Sequence, residues 1–368
     1  MAANLTQVAI KARVAIKYVI ILTIVGIILR IALFAGLAIY RRANPHKPPP
    51  PSVGYGKIER IKFPERAAGL ADGVTYKLET ASGGLPVFPD RMNVFVMPSS
   101  TTTLFSLDDA IDKAERLGYQ VSPIQLSETI YRFNNNVVPS SLEMNIITGV
   151  FTSSYNLAFD PTPTLSRPPN EADAARRAID TLNRAKTLPK DITRDKATHE
   201  FLDVEGQNLV STTSLASAKL IKVNLFRNDV VSKTKTGEEI TYAAKPPSAV
   251  EANVWMILSG EQRIEKWVIA SQFYYYPVDY EQLETYPVIT AQQAWDSLSS
   301  GAAFIANRGT AQGEVAIRQV YMAYYDPDVL SQYFQPIVVF EGDGGFVAYV
   351  PAVTAEYYGT ETPVPAGN

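Results

Sequence analysis

The sequence predicts an α+β protein: an N-terminal transmembrane helix, then tandem units of one helix packed on a small antiparallel sheet. Three observations lead there. Residues 18–40 are almost uninterruptedly apolar, three later amphipathic stretches share one helical layout, and each of those is followed by short apolar strands set off by turn residues.

The first element is the apolar segment, YVIILTIVGIILRIALFAGLAIY. As a helix its 23 residues span about 34 Å at about 1.5 Å per residue, enough for a hydrocarbon core of about 30 Å. The apolar stretch of a signal peptide is about 7–15 residues long, so the segment reads as an uncleaved anchor despite the small residues Ala35-Gly36-Leu37-Ala38. Arg30 sits near its middle and is the candidate intramembrane contact. A snorkelling side chain in a single-span anchor is the simpler role. Lys11, Arg13 and Lys17 precede the span and Arg41, Arg42 and Lys47 follow it, so the positive-inside balance is nearly even. A short leading arm and a large folded remainder favour an N-terminus inside. The expected location is the cell membrane, single-pass, with the C-terminal domain extracytoplasmic.

Charge separates the two parts. Seven of the 34 Lys/Arg and none of the 37 Asp/Glu lie in the first 51 residues, so the remainder carries 27 basic against 37 acidic residues, a net of −10. An acidic surface is a poor partner for phosphates, which argues against nucleic acid. The chain has no cysteine, which excludes disulfides, thiolate nucleophiles and thiolate zinc sites.

The run NPHKPPPP over 44–51 predicts a stiff extended spacer. Beyond it, the three helices begin at Ser106, Asn170 and Thr290, each read as an N-cap. Three residues on stand Asp109, Asp173 and Gln293, and the next residue is alanine each time: Ala110, Ala174, Ala294. Thr290 with Gln293 fits a capping box. An apolar run into proline precedes each helix (93–98, 155–161, 273–277), and three strands are expected after each: 129–133, 141–147 and 150–158; 217–226, 249–258 and 264–275; 315–325, 334–341 and 346–351. Trp267, Ile269, Phe273 and Tyr275 are expected to alternate onto one face. The predicted organisation is a cytoplasmic arm (1–17), the transmembrane helix (18–40), a proline-rich spacer (41–52), α+β units over 53–160, 161–276 and 277–358, and a disordered tail (359–368).

Ala110, Ala114, Tyr131-Arg132-Phe133 and the stretch from Met144 to Gly149 make the first unit resemble the PepSY family of extracytoplasmic α+β modules. That family usually places an acid near Asn145, where this chain departs from it. A single anchor followed by tandem units also looks like the YycH/YycI-type regulators, which restrain a wall-sensing histidine kinase. The anchor, the proline run, the stretch 54–64 (GYGKIERIKFP) and the stretch 78–86 (LETASGGLP) resemble an uncharacterised membrane-protein family of candidate-phyla (Patescibacteria-type) bacteria. These resemblances imply architecture and an envelope location.

No catalytic set stands out. His46 lies in the spacer and His199 in a polar stretch, and serine-elbow, Walker, HExxH and SxxK patterns are absent. Asp326, Asp328, Glu341 and Asp343 are the carboxylates that could share a Ca²⁺, although Asp-Pro-Asp reads first as a turn. No cofactor is expected. Tyr274, Tyr275, Tyr276 and Tyr280 form the candidate binding patch, because consecutive strand residues point both ways. The expected function is a non-enzymatic binding, regulatory or structural module of the envelope, with an envelope protein or the cell wall as partner and homo-oligomers as an option. The alternatives are a glycan-acting enzyme using carboxylates and a scaffold subunit of a larger membrane complex.

Overall fold

The computed structural model describes residues 2–43, 50–65, 73–98, 106–206, 208–233, 239–310 and 313–359. Half of the expected spacer, including His46, and all but one residue of the expected tail lie outside them. The chain divides into two units, Met1–Pro50 and Pro51–Asn368.

The first unit is the helix α1 (Ala2–Ala43). Its span Ala9–Tyr40 has a mean hydropathy of 2.6, no residue of it is buried, and it is long and apolar enough to cross a membrane. It starts earlier than the expected 18–40 because Ala9, Ile10, Val14, Ala15 and Ile16 continue the apolar helical composition. Arg30 holds its guanidinium 5.8 Å from the Phe34 ring, one turn on.

The second unit opens with β1 (Thr75–Leu78), β2 (Arg91–Val96), α2 (Ser106–Arg116), β3 (Ile124–Gln125), β4 (Ile130–Asn134), β5 (Ser140–Asn145) and β6 (Phe151–Tyr155). Then come α3 (Glu171–Arg184), β7 (Ile192–Glu205), β8 (Asn208–Thr212), β9 (Leu220–Arg227), β10 (Val230–Lys233), β11 (Glu239–Tyr242), β12 (Ala244–Lys245), β13 (Val254–Leu258) and β14 (Val268–Phe273). It closes with β15 (Asp279–Pro287), α4 (Ala291–Ser299), β16 (Phe304–Asn307), β17 (Glu314–Tyr325), β18 (Tyr333–Phe334), β19 (Pro336–Gly342) and β20 (Phe346–Pro351).

The expected helix starts hold at two of three places. Asn170 accepts from the Asp173 amide at 2.9 Å, and Thr290 and Gln293 complete the capping box. Ser106 is instead itself helical in α2, and the residues just before it lie outside the described ones. Ala110, Ala174 and Ala294 are all buried against sheet, since a methyl group lets helix and strand backbones approach closely.

The sheets differ from one small sheet per helix. Strands expected in the first and second units form a single nine-stranded sheet in the order β3-β4-β5-β6-β14-β13-β9-β7-β8, antiparallel throughout. The join is β6 on β14, where Phe151 stands opposite Phe273 and Ser153 opposite Ser271. Those phenylalanine rings stack at 5.0 Å and the two buried hydroxyls hydrogen-bond at 2.6 Å. One face of this sheet packs under α2 and α3, with Phe133, Leu142, Val223 and Met256 meeting Ala114, Ala178 and Leu182. Phe273 and Tyr275 lie in that core as expected, but Ile269 turns to the opposite face. A bulge between the pairs Ile257–Ala270 and Leu258–Val268 inserts Ile269 and shifts the alternation.

The second large sheet runs β1-β17-β19-β20-β16, with β12 also on β17; β1 and β12 lie parallel to β17. α4 packs on one of its faces through Ala294 and Leu298. A third sheet, β15-β2-β18, gathers strands from distant positions, and β10-β11 form a hairpin. The lead-in to the expected first unit therefore pairs with C-terminal strands: β1 with β17, β2 with β15 and β18, and Ile58 with Tyr358.

Candidate functional site

β9 alternates cleanly: Ile221, Val223 and Leu225 enter the core beneath the helices. Two residues further, on the same parity, comes Arg227, whose side chain is 1 % exposed. A charge at that position requires partners around its whole planar fork. Its Nη1 donates to Asp191 Oδ2, its Nε to Asp326 Oδ1 at 2.9 Å, and its Nη2 to the Tyr276 carbonyl at 2.8 Å. The guanidinium lies 4.5 Å from the Tyr275 ring and 5.5 Å from the Phe334 ring.

The expected tyrosine patch supplies the walls of this cluster. Tyr275 donates its hydroxyl to Asp191 Oδ1 at 2.8 Å, and Tyr280 donates to Oδ2 at 3.1 Å. Tyr276 is buried, and Tyr274 is half-buried with its amide on the Asn253 carbonyl. Three of the four thus turn inward instead of forming an open aromatic face. The alternation that should expose one of them ends with β14 at Phe273, where the chain bends toward β15. Burial pushes the Tyr275 and Tyr280 hydroxyls well above the usual phenol range, so both remain protonated donors.

Arg227 joins all three larger sheets. It ends β9, Asp326 follows β17, and Tyr280 and Phe334 belong to the third sheet. Burial raises the Asp326 pKa while Arg227 pulls it down. Burial opposes the charge on Arg227, but Asp326 and Asp191 outweigh it and hold the guanidinium charged. Asn253 fixes the Asp326 turn by donating to its carbonyl at 2.9 Å and to that of Pro327 at 3.2 Å. Beside the cluster opens a cleft of about 250 Å³ lined by Lys196, Thr198, Asp229 and Lys245. Its charges are paired: Lys196 with Asp229 at 2.6 Å, and Lys245 with Glu341 at 3.3 Å.

Three of the four carboxylates considered for Ca²⁺ go to separate partners. Asp326 binds Arg227, Glu341 accepts from Tyr321 and Lys245, and Asp343 accepts two bonds from Arg318 at 2.8 and 2.6 Å. Asp328 is half-buried with Oδ1 unpartnered, and burial raises its pKa. Among the described residues no three His, Asp or Glu side chains converge as a metal site. His199 lies half-buried on β7 with Nε2 unpartnered, and burial lowers its pKa.

Arg227, Asp191 and Asn253 were not singled out by sequence. The available signal was parity: Arg227 continues the buried series 221, 223, 225 of an apolar strand.

The fold and this cluster define an α+β protein with a long N-terminal apolar helix and several antiparallel sheets joined by a buried arginine. No protein-family model and no curated protein matches the chain. Among solved structures it is similar to an uncharacterized protein from Eubacterium rectale, at 13% identity over 79% of this chain and 92% of that chain, TM-score 0.39. It is also similar to the Bacillus megaterium YpeB C-terminal domain, at 12% identity over 71% of this chain and 96% of that chain, TM-score 0.29. These likenesses assign no family.

Proposed function

We propose that this chain is a single-pass envelope protein whose unit Pro51–Asn368 acts outside the cell as a non-catalytic binding or regulatory module. The observation that carries this reading is the division of the chain. One unit is a bare apolar helix of membrane-spanning length, and the other is a folded α+β unit with its own cores. The charge asymmetry supports it, because an acidic module is repelled by anionic lipid and stands away from the surface. A binding role is favoured over catalysis by the use of Arg227, Asp191 and Asp326, which satisfy one another across the sheets. The partner is an envelope protein or the wall.

The absence of cysteine makes a clean test. Val87 is 99% exposed, so Val87→Cys supplies a single accessible thiol. Labelling of intact cells by a membrane-impermeant maleimide supports the reading, and labelling only after lysis overturns it. N-terminal sequencing of the mature chain distinguishes an anchor from a cleaved signal sequence.

A further inference from the structure

The nine-stranded sheet has a second face, opposite α2 and α3. Two parallel rows cross it: Arg132, Glu143, Thr152, Gln272 and Trp255, and beside them Asn134, Ser141, Ser154, Ala270 and Ile257. At the β4–β6 end this face opens into a groove of about 620 Å³, where Asn134, Ser141, Ser154 and Asn156 line the polar wall with Pro139. No charged side chain lines it, in a unit that carries a net −10. Two other clefts differ: one holds Arg116, Arg184 and Glu265, the other Lys196, Asp229 and Lys245.

The polar lining is partly engaged and partly free. Asn135, Ser140 and Tyr155 also line the groove, but Asn135 donates to the Gly118 carbonyl and accepts from the Val137 amide, Ser140 pairs with Tyr119, and Tyr155 donates to Asp160. Among the described residues the side chains of Asn134, Ser141 and Ser154 make no hydrogen bond, and Asn156 uses only its oxygen, accepting from the Phe159 amide at 3.1 Å. Asn134, Ser141 and Ser154 stand in direct cross-strand register, about 4.8 Å apart per strand. Next to Asn156 the chain presents Phe159 at 79% exposure. The loop that carries it is held by Asp160, which accepts from Tyr155 at 2.6 Å, Lys266 at 2.7 Å and Thr162 at 2.6 Å. A large ring is therefore kept in water on a fixed support, which lowers the entropy lost when a ligand meets it.

We propose that this groove is a binding subsite for a neutral saccharide chain. Neutral hydroxyl and amide side chains match sugar hydroxyls in both donor and acceptor roles. Their cross-strand spacing is close to the repeat of an equatorially linked pyranose chain, and an exposed ring suits the apolar face of a sugar. An extended peptide fits less well. β5 and β6 are paired along both edges, so the groove floor has no free backbone ladder for an added strand.

The inference rests on the envelope-module reading and specifies its ligand. The test uses the full chain in detergent micelles and chitotetraose as the probe, followed by calorimetry. Saturable binding is expected, weakened about tenfold in Phe159→Ala, the loss of one ring-face contact. Ser154→Val is expected to weaken it similarly, while Leu165→Ala, equally exposed in the same loop, leaves it unchanged. Phe159→Ala alters only an exposed side chain, so the test survives if Ser154→Val fails to fold. Absence of saturable binding, equal loss in Leu165→Ala, or binding of tetra-alanine in place of chitotetraose overturns the assignment. If chitotetraose fails while the Val87→Cys thiol is labelled from outside, the groove assignment falls and the module reading stands.

Discussion

Arg227 donates from Nε to Asp326 at 2.9 Å across 99 positions of chain, and this bond ties the end of β9 to the turn after β17. With the bond to Asp191 and the stack on Tyr275, it makes a charged bolt between the sheets. Removing one member of a buried ion cluster leaves the others charged and unpaired, which typically destabilises by about 3–5 kcal/mol. Arg227→Ala is expected to lower the unfolding free energy by that amount. Arg227→Lys should recover little, because an ammonium reproduces neither the three-way planar donation nor the stack. The double variant Arg227→Met/Asp326→Leu should recover more than either single change. Equilibrium urea unfolding of the four proteins checks the order.

Two carboxylates give opposite pH signatures. Hydrogen bonds from Lys266, Thr162 and Tyr155 hold Asp160 well below the ordinary carboxylate range. Its folded pKa lies under the unfolded value of about 3.9, so its stabilisation is present above that value and lost as pH falls through the folded pKa. Asp160→Asn should be less stable than wild type at pH 7, and the gap should close below about pH 4. Burial raises the Asp328 pKa instead, so its contribution is present in acid and lost as pH rises through the folded pKa. Asp328→Asn should therefore be more stable than wild type at pH 7, with the gap closing on acidification. Melting temperatures of the three proteins from pH 3 to pH 7 read both signs.

Much of this was legible locally. The apolar span, the Asn170 and Thr290 caps, the buried alanines and the strands of the β17–β19–β20 sheet all follow from short-range composition and period. What escaped depends on distant pairing. β7 reads ITRDKATHEFLDVE, too polar to announce a strand, yet it pairs with β9 and β8 and places Ala197 and Phe201 under the helices. Its exposed face tolerates charge, so hydrophobicity alone misses it. The direction of the expected tyrosine patch depended on Arg227 and Asp191, which arrive from 49 and 84 positions away.

The β6–β14 join predicts one cooperative unit where the repeat layout suggests two. Ser153 and Ser271 bury a 2.6 Å hydrogen bond at that join, flanked by the stacked Phe151 and Phe273. Amide exchange should protect β5, β6, β13 and β14 to the same global free energy, since neither half keeps a sealed core without the other. Ser153→Val leaves the Ser271 hydroxyl buried without that partner and should destabilise by about 1–3 kcal/mol. Protection lost in β6 alone, with β14 unaffected, would show that the halves unfold independently.

Gly260 tests the support of the Phe159 loop from the opposite side. A Cβ there would stand 1.8 Å from the Arg167 carbonyl oxygen, a backbone atom that cannot rotate away. Gly260→Ala must push residues 167–168 outward and should destabilise by about 1–3 kcal/mol. If the saccharide groove is supported through this loop, the same variant weakens chitotetraose binding, while Gly84→Ala, which meets open space, leaves it unchanged. Calorimetry and thermal melts on the two variants separate loop displacement from general loss of stability.

Arg30 sets the last test, because its insertion penalty is calculable. A central Arg raises the insertion free energy by about 2.5–3.5 kcal/mol, while each Leu, Ile, Phe or Val lowers it by about 0.3–0.6 kcal/mol. The abundance of such residues in Ala9–Tyr40 offsets the penalty, so the wild-type helix is expected to insert, and Arg30→Leu should insert at least as well. Within the helix, the Arg30 guanidinium lies 5.8 Å from the Phe34 ring. If its role is to snorkel, Arg30→Leu leaves the membrane fraction and the co-purifying proteins unchanged. If it anchors a second helix, Arg30→Leu keeps the chain in the membrane but loses a stoichiometric partner in mild detergent. Quantifying both the membrane fraction and the co-purified set therefore assigns the residue, since insertion and association respond separately.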